Sequence, residues 1–194
     1  MDQPVLVVDL DGTLIHTDML HESALKLFRD RPLDTLRIPL WLSRGKAVLK
    51  EQLASRTHVD PKTLPYNTAL LSWLKSQKSE GRRLVLCTAS DRSIADGIAR
   101  HLDLFDEVMA SDGTLNLAGP QKAQALVARF GDKGFDYAGN SEADLAVWAH
   151  ARQWWRPLPD WSRRRRPSAR SRRCSSAAPP GLQPGDAYCA CTSG

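Results

Sequence analysis

The sequence predicts a three-layer α/β domain built on a parallel sheet, with a helical insertion after the first strand. One observation is the unbroken apolar run Val5–Val8, which is typical of a strand buried on both faces. A second is that three later apolar runs, at 84–87, 107–110 and Phe135–Ala138, alternate with helix-length segments. The third is a stretch of more than 60 residues with helical character between the first two runs.

The crossover segments justify the parallel arrangement. Segments 92–102 and 121–130 have helical length, and Ala125, Leu126 and Phe130 repeat at helical spacing in the second of them. Because parallel strands need a crossover between them, we expect each of these helices to pack on a face of the sheet.

The long insertion is predicted to form a helical cap over about residues 15–75. Its helical segments are 20–28, 40–53 and 68–78, and prolines separate them. We expect the cap to cover the carboxyl edge of the sheet, where open α/β sheets bind ligands. Asp18 and Glu22, one helical turn apart, either face that site from the first cap helix or form a solvated face.

Composition places the chain among ordinary globular proteins. The 194 residues are 42% hydrophobic and 25% charged, which excludes collagen-like, wholly disordered and disulfide-scaffold classes. No run approaches the ~18 apolar residues of a membrane span, and the first ten residues are too acidic for a signal peptide. Only Cys87 among the four cysteines lies before residue 154, so a reducing, cytoplasmic location in a bacterium is expected.

The positive net charge belongs to the end of the chain. Residues 154–194 contain eight arginines and two aspartates, whereas residues 1–153 have a net charge of −1. The charge of the predicted domain therefore gives no reason to expect a nucleic-acid partner. A basic arm for nucleic acid or anionic lipid is the functional alternative for residues 154–194.

Polar groups with chemical potential follow the predicted strands. Asp9 and Asp11 end the first strand and precede Gly12, which lets the chain turn away. Further along come the strand-end group Thr88-Ala89-Ser90, Lys122 near a helix start, and Asn140 and Asp144 after the fourth strand. Since carboxyl ends of parallel strands share one edge, we expect these groups to form a single site.

This set of motifs resembles the haloacid dehalogenase superfamily over residues 4 to about 152. The matching motifs are Asp-x-Asp-Gly-Thr at 9–13, the strand-end Thr88, Lys122, and an acidic motif at 139–144. The resemblance implies a Mg²⁺-dependent phosphatase in which Asp9 is the nucleophile and forms an aspartyl-phosphate. Asp11 would be the general acid and base, and its presence favours phosphatases over dehalogenases.

The same resemblance assigns the remaining site residues. Thr88, Ala89 and Lys122 would bind the phosphoryl oxygens. The alternatives are that the Thr88 hydroxyl has only a structural role and that Lys122 is a solvated surface side chain. The predicted Mg²⁺ ligands are Asp9, Asp11, Asn140 and Asp144. Asp144 as an ion-pair partner of Lys122 is a further possibility.

Asn140 departs from the family pattern, which has an aspartate at this position. An amide oxygen is a suitable ligand for Mg²⁺, but the change removes one negative charge from the site. We therefore expect weaker metal binding. A non-catalytic domain with a regulatory or scaffold role is the alternative function.

A narrower resemblance concerns phosphatase-like domains fused ahead of bacterial polyprenyl transferases of the UbiA family. It depends on Leu-Pro-Tyr at 64–66, Gly-Arg-Arg-Leu-Val-Leu-Cys-Thr-Ala-Ser at 81–90, Gly-x-x-Lys-Ala at 119–123 and Gly-Asn-Ser-x-Ala-Asp-Leu-Ala-Val-Trp at 139–148. The resemblance implies a small or lipid-linked phosphorylated substrate and a position near the inner face of the membrane. The membrane domain itself is absent from this chain.

The predicted hydrolase domain ends at residue 153. Pro157 and Pro159 interrupt the chain, and residues 154–194 show no periodic apolar pattern, which predicts a disordered basic tail. The superfamily resemblance implies one more edge strand after the last motif, and we expect that strand to be absent. The arginine-rich, lysine-free composition suggests that the tail is the product of a frameshift.

Overall fold

A six-stranded sheet forms the centre of the protein in a computed structural model that describes residues 3–57, 59–112, 116–157 and 188–192. The strand order is β3-β2-β1-β4-β5-β6, parallel except for the antiparallel β6. The strands are β1 (Val5–Val8), β2 (Leu84–Asp91), β3 (Glu107–Ser111), β4 (Phe135–Ala138), β5 (Gln153–Pro157) and β6 (Tyr188–Thr192). The four predicted strands are confirmed, and β2 extends to Asp91, beyond its predicted end.

Seven α-helices accompany the described strands: α1 (Met19–Asp30), α2 (Ile38–Ser43), α3 (Lys46–Arg56), α4 (Thr68–Ser79), α5 (Arg92–Leu102), α6 (Pro120–Phe130) and α7 (Leu145–Trp148). Short 3₁₀ turns occur at Pro32–Arg37, Pro61–Thr63 and Glu142–Asp144. The helix predicted over 40–53 is divided into α2 and α3, because Gly45 has a φ of 112°, outside the helical range. None of the described helices is long and apolar enough to cross a bilayer.

Two separate cores confirm the predicted three layers. On one face of the sheet, α4 and α5 pack through Leu70, Trp73, Leu74, Ala95 and Ile98. On the other face, α6 and α7 pack through Ala123, Leu126, Val147 and Trp148. Alternate residues of β1 point to the two cores, as the two-residue period of a strand requires.

The insertion has a small core of its own. Leu27, Trp41, Leu49 and Leu53 come from α1, α2 and α3 and pack together. In contrast, α4 belongs to the core of the sheet. The part of the insertion with a separate core therefore ends before α4, earlier than the predicted limit near residue 75.

The prediction that the last edge strand is absent is wrong. β5 pairs in parallel with β4, with Tyr137 opposite Trp154 and Ala138 opposite Trp155. Trp154 stacks on Trp148 at 4.3 Å between ring centroids, and Trp155 packs against Trp73 on the opposite face at 5.4 Å. This alternation of two large apolar side chains is the strand signal that the prolines obscured.

Consequently β4 is an interior strand, between β1 and β5. Residues 188–192 form β6, which pairs antiparallel with β5. The predicted tail thus contributes residues 154–157 and 188–192 to the sheet. Its remaining parts, 158–187 and 193–194, lie outside the described residues. The frameshift hypothesis, which concerns mainly these residues, stays a prediction.

Candidate active site

The predicted site residues meet at the carboxyl edge of the sheet. Asp9 and Asp11 follow β1, Thr88 lies in β2, Lys122 is in the first turn of α6, and Asp144 follows β4. Hydrogen bonds connect them in two groups, one around Lys122 and one around Asp11. The structure therefore brings together the groups that the sequence placed at separate strand ends.

Lys122 is the cation at the centre of the first group. Its Nζ lies 2.7 Å from Asp9 Oδ1, 3.6 Å from Asp144 Oδ1 and 3.2 Å from the hydroxyl of Tyr137. All four side chains are buried. Burial alone would lower the pKa of Lys122, but the carboxylates of Asp9 and Asp144 raise it well above its ordinary value. Lys122 is therefore a fixed positive charge.

The surroundings of Asp9 disfavour the negative charge of its carboxylate. Burial, followed by repulsion from Asp144 and Asp11, raises the pKa of Asp9 to about 7, although Lys122 acts in the opposite direction. Its second oxygen, Oδ2, accepts a long hydrogen bond of 3.4 Å from the Thr13 hydroxyl. An ionised carboxylate with so few donors around it is a suitable nucleophile.

Asp11 forms the second group with residues from β2 and the insertion. Its Oδ1 accepts a hydrogen bond from the Met19 N–H at 2.7 Å. Its Oδ2 accepts from the hydroxyls of Ser90 at 2.7 Å and Thr88 at 3.2 Å. Burial raises the pKa of Asp11, in spite of these hydrogen bonds. A raised pKa suits a group that gives and takes a proton.

The strand-end segment 88–90 is tightly organised. Thr88 Oγ1 accepts from the Ser90 N–H at 2.9 Å, and the Ala89 carbonyl accepts from the Ser111 hydroxyl at 2.8 Å. The sequence placed Ser90 in this strand-end group without assigning it a role, although it contacts Asp11 more closely than Thr88 does. Its position two residues after Thr88 in β2 is the signal that could have indicated it.

Lys50 of α3 is a further site residue that sequence reasoning missed. Its Nζ donates to the Ala89 carbonyl at 2.5 Å and to Asn116 Oδ1 at 3.3 Å. Among the described residues, no carboxylate lies within ion-pair distance of this half-buried ammonium. Burial lowers the pKa of Lys50, although the carboxylates of Asp11 and Asp18 act in the opposite direction. A lysine in a long helical insertion carries no sequence signal for this placement.

The acidic motif after β4 is fixed by its own hydrogen bonds. Asp144 Oδ2 accepts from the N–H and hydroxyl of Ser141 at 2.9 and 3.0 Å, and Oδ1 accepts from the Tyr137 hydroxyl at 2.7 Å. A Cβ at Gly139 would lie 2.4 Å from the Tyr137 ring and 2.8 Å from Asp144, so only glycine fits there. Tyr137 is another site residue that the sequence did not indicate.

Asn140 contacts the turn after β1. Its Nδ2 donates to the Gly12 carbonyl at 2.7 Å, which leaves the amide oxygen as the atom able to bind a cation. An aspartate in the same position would bring a carboxylate oxygen against a carbonyl. The asparagine is therefore matched to its surroundings.

The charges of the site fit a cation. The buried carboxylates of Asp9 and Asp144 lie beside Lys122. Burial, followed by repulsion from Asp144 and Asp11, raises the pKa of Asp9, and a bound cation would oppose that shift. Oxygen donors are the ligands that Mg²⁺ prefers. Within the described ranges, no group of three Asp, Glu, His or Cys side chains is placed to hold a metal ion. The amide oxygen of Asn140 is a further oxygen donor at this edge of the sheet.

Asp18 and Glu22 make local hydrogen bonds within the insertion. Asp18 caps α1 by accepting from the Leu20 N–H at 2.7 Å, and Glu22 accepts from the Thr17 hydroxyl at 2.7 Å. These local hydrogen bonds agree with the structural alternative for this pair.

Comparison with known proteins identifies a family for most of the chain. The family of haloacid dehalogenase-like hydrolases matches residues 6–148. The uncharacterized protein y4nM of Sinorhizobium fredii (strain NBRC 101917 / NGR234) is 46% identical over 147 residues, or 75% of this chain. The chain spans only 28% of the length of that relative.

Solved structures share the fold at low sequence identity. A protein of unknown function from Bordetella pertussis Tohama I has a TM-score of 0.57 and 15% identity, covering 76% of this chain and 86% of its own. A probable phosphoserine phosphatase from Vibrio cholerae has a TM-score of 0.56 and 14% identity, covering 77% and 54%. At such identities the likeness establishes the α/β architecture alone.

Proposed function

Because the chain belongs to the family of haloacid dehalogenase-like hydrolases, we propose that it hydrolyses phosphomonoesters through a phosphorylated Asp9. The observation that carries this proposal is the Asp9–Lys122 pair, a buried nucleophile 2.7 Å from a fixed cation, with Asp11 two residues away. The solved phosphoserine phosphatase of the same fold is consistent with this reaction class.

Asp9 and Asp11 divide the chemistry. An oxygen of Asp9 attacks phosphorus, the bond from phosphorus to the ester oxygen breaks, and Asp11 gives its proton to the leaving alcohol. Asp11 then takes a proton from a water molecule. The oxygen of that water attacks the phosphorus of the phosphorylated Asp9, and the bond from phosphorus to the Asp9 oxygen breaks. Inorganic phosphate leaves and both carboxyl groups return to their starting states. The raised pKa of Asp11 supports its role as the acid of the first step.

Lys122 and the segment Thr88–Ala89 are proposed to bind the phosphoryl oxygens. Charge develops on these oxygens in the transition state, and a preorganised cation in a buried site stabilises them strongly. Lys122 is held in place by Asp9, Asp144 and Tyr137. Asp144 therefore acts in the proposal as the residue that positions Lys122.

Asp9 and the amide oxygen of Asn140 are the proposed protein ligands of Mg²⁺. The side-chain oxygens of Asp11 and Asp144, also predicted as ligands, are engaged by donors from Met19, Ser90, Tyr137 and Ser141. A bound Mg²⁺ would neutralise charge between Asp9 and the phosphoryl group. The residues described here supply the nucleophile, the proton and the orientation.

Replacing Asn140 with Asp tests the proposed metal site. We expect the Mg²⁺ concentration for half-maximal thermal stabilisation to fall about tenfold, because a carboxylate replaces an amide ligand. Without metal, the variant should be less stable by about 1–3 kcal/mol, because the bond to the Gly12 carbonyl is lost. Thermal unfolding during a Mg²⁺ titration measures both effects. An Asn140→Ala variant that responds to Mg²⁺ as the parent does would contradict this ligand assignment.

The proposed substrate carries a second anionic group besides the phosphoryl group. Lys50 is a half-buried cation at the mouth of the site whose partners are neutral oxygens, and a buried charge is stabilised by an opposite one. A small or lipid-linked phosphomonoester that also carries a carboxylate would supply it. The Lys50 ammonium would then donate a hydrogen bond to this anionic group and weaken its hydrogen bond to the Ala89 carbonyl.

A substitution of Lys50 tests this substrate class. For a phosphomonoester that also carries a carboxylate, we expect Lys50→Met to raise KM by about tenfold to a hundredfold, because a charge-assisted hydrogen bond is lost. The loss should be much smaller for phenyl phosphate. Lys46→Met, an exposed lysine of the same helix, is the matched control. Equal losses for both substrates would assign Lys50 to holding the insertion in place.

A connection to lipid metabolism is part of the proposal. It is supported by the segments that resemble domains fused to UbiA-family polyprenyl transferases, and by the greater length of the relative from Sinorhizobium fredii. On this basis we propose a cytoplasmic domain acting on phosphates at or near the membrane. Cell fractionation with the native gene tests the location.

The second candidate is a non-catalytic domain with a regulatory or scaffold role. Asn140 favours it, because the family motif has a carboxylate there. Release of inorganic phosphate from an aryl phosphate, with Mg²⁺ and with a chelator, separates the two functions. Turnover that needs Mg²⁺ supports the hydrolase, and phosphate release no faster than in buffer supports the scaffold.

A further inference from the structure

Exposed apolar side chains are concentrated on one part of the insertion. Within the described ranges, seven large hydrophobic residues are highly exposed, and only Leu145 lies outside residues 25–42. Leu33 and Leu36 are the most exposed, at 81% and 78%. The other four are Leu25, Phe28, Leu40 and Leu42. We call the surface formed by these six residues the cap face.

The cap face lies opposite the small core of the insertion. Leu27 and Trp41, its immediate neighbours in sequence, are buried in that core. Leu33 and Leu36 are three apart in the 3₁₀ turn Pro32–Arg37, a spacing that places two side chains on the same side. The exposed residues are therefore an outward apolar surface and not an unfinished part of the core.

Basic residues are interspersed with these apolar side chains. Residues 25–46 contain six Lys and Arg and two Asp, a net charge of +4, whereas residues 1–153 as a whole carry −1. The two aspartates, Asp30 and Asp34, pair with Arg29 and Arg37. Arg31 and Arg44 are exposed and contribute uncompensated charge to the surface.

We propose that the cap face docks on the surface of an anionic lipid bilayer. Exposed Leu and Phe among Lys and Arg is the pattern of an interfacial anchor, in which apolar side chains enter the acyl boundary and basic ones contact anionic headgroups. A second copy of the chain is a poor occupant, because two surfaces of charge +4 would repel each other. Charge complementarity therefore selects the anionic bilayer.

Docking by this face places the candidate site close to the bilayer. The insertion that carries the cap face also supplies the Met19 N–H to Asp11 and the Lys50 ammonium to Ala89. The insertion would then lie between the lipid headgroups, where a phosphate is presented, and the candidate site. The docking itself does not depend on the proposed hydrolase activity.

Vesicle flotation with the full chain tests the proposal. The probes are vesicles of phosphatidylcholine alone and of phosphatidylcholine mixed with phosphatidylglycerol. We expect binding to the mixed vesicles only, with a partition coefficient about tenfold lower in the double variant Leu33→Gln/Leu36→Gln. Arg31→Gln/Arg44→Gln should weaken binding and reduce its dependence on salt. Thermal unfolding checks that the exposed substitutions leave the fold intact.

Two control variants carry substitutions of exposed residues outside the cap face. Leu145→Gln removes the exposed leucine outside the cap face, and Lys75→Gln removes an exposed charge from α4; both should bind as the parent does. Vesicle binding that is unchanged by the Leu33 and Leu36 substitutions would overturn the proposal and assign binding to the arginines of residues 154–194. Self-association of the parent that Leu33→Gln/Leu36→Gln abolishes, without any vesicle binding, would overturn it in favour of a dimer.

Discussion

Replacing Asp9 with Asn is expected to lower phosphomonoester turnover by about 10³-fold or more, because the variant lacks the oxygen that attacks phosphorus. The substitution keeps the shape of the side chain and leaves Lys122 with Asp144 and Tyr137 as partners. Phosphate release with saturating Mg²⁺ measures the effect. Asp103→Asn, at an exposed αL position after α5, is the matched control and should retain full activity.

Asp9→Asn is also expected to change how the free energy of unfolding depends on pH. The pKa of Asp9 is raised from 3.8 to about 7, so the folded protein holds this proton more tightly than the unfolded chain. The wild-type protein therefore loses stability as pH rises from about 4 to 7, and Asp9→Asn removes that loss. We expect the variant to be more stable by about 1–3 kcal/mol above pH 7 and little changed near pH 4.

Two results would contradict the assignment of Asp9. Equal turnover by the parent and Asp9→Asn would remove the nucleophile from the proposal and favour the non-catalytic domain. A variant that is less stable than the parent above pH 7, with a difference that vanishes near pH 4, would show that Asp9 is stabilised as an anion in the fold. Chemical denaturation at several pH values provides the second measurement.

Replacing Asp136 with Ala is expected to lower the free energy of unfolding by about 3–5 kcal/mol. Asp136 is fully buried in β4 and accepts hydrogen bonds from Arg82, from Arg152 at 3.0 and 2.7 Å, and from the Gln153 N–H at 3.1 Å. Arg82 is itself buried, and burial lowers its pKa although Asp136 opposes the shift. Without Asp136, the buried Arg82 charge loses its ion-pair partner.

The double variant Arg82→Met/Asp136→Leu separates the loss of an ion pair from the exposure of an unpaired charge. We expect it to recover much of the stability, because well-packed apolar residues replace a buried pair at little cost. Urea denaturation of both variants provides the comparison. If Asp136→Ala unfolds at the same urea concentration as the parent, the attachment of β5 to β4 does not depend on Asp136.

The sheet and the location of the site could be predicted from sequence because their signals are local. Val5–Val8 and Phe135–Ala138 are apolar runs in which neighbouring residues all favour a buried strand. The topology rule for parallel sheets then places Asp9, Thr88 and Asp144 at one edge without knowledge of any contact. This local information explains why the four predicted strands are present and why the candidate site residues lie at one edge of the sheet.

The contacts that complete the site join distant parts of the chain, and only the tertiary structure determined them. Lys50 reaches Ala89 across 39 positions. Asp136 accepts a hydrogen bond from the Gln153 N–H of β5 and is paired with Arg82, which lies 54 positions before it. The sequence by itself determined the α/β class and the edge of the sheet where the candidate site lies, since strand burial and strand-end chemistry are encoded in short segments. The tertiary structure decided that residues 153–157 form a strand and that a cap lysine enters the site, because those outcomes depend on charge pairing and burial between segments with no local pattern in common.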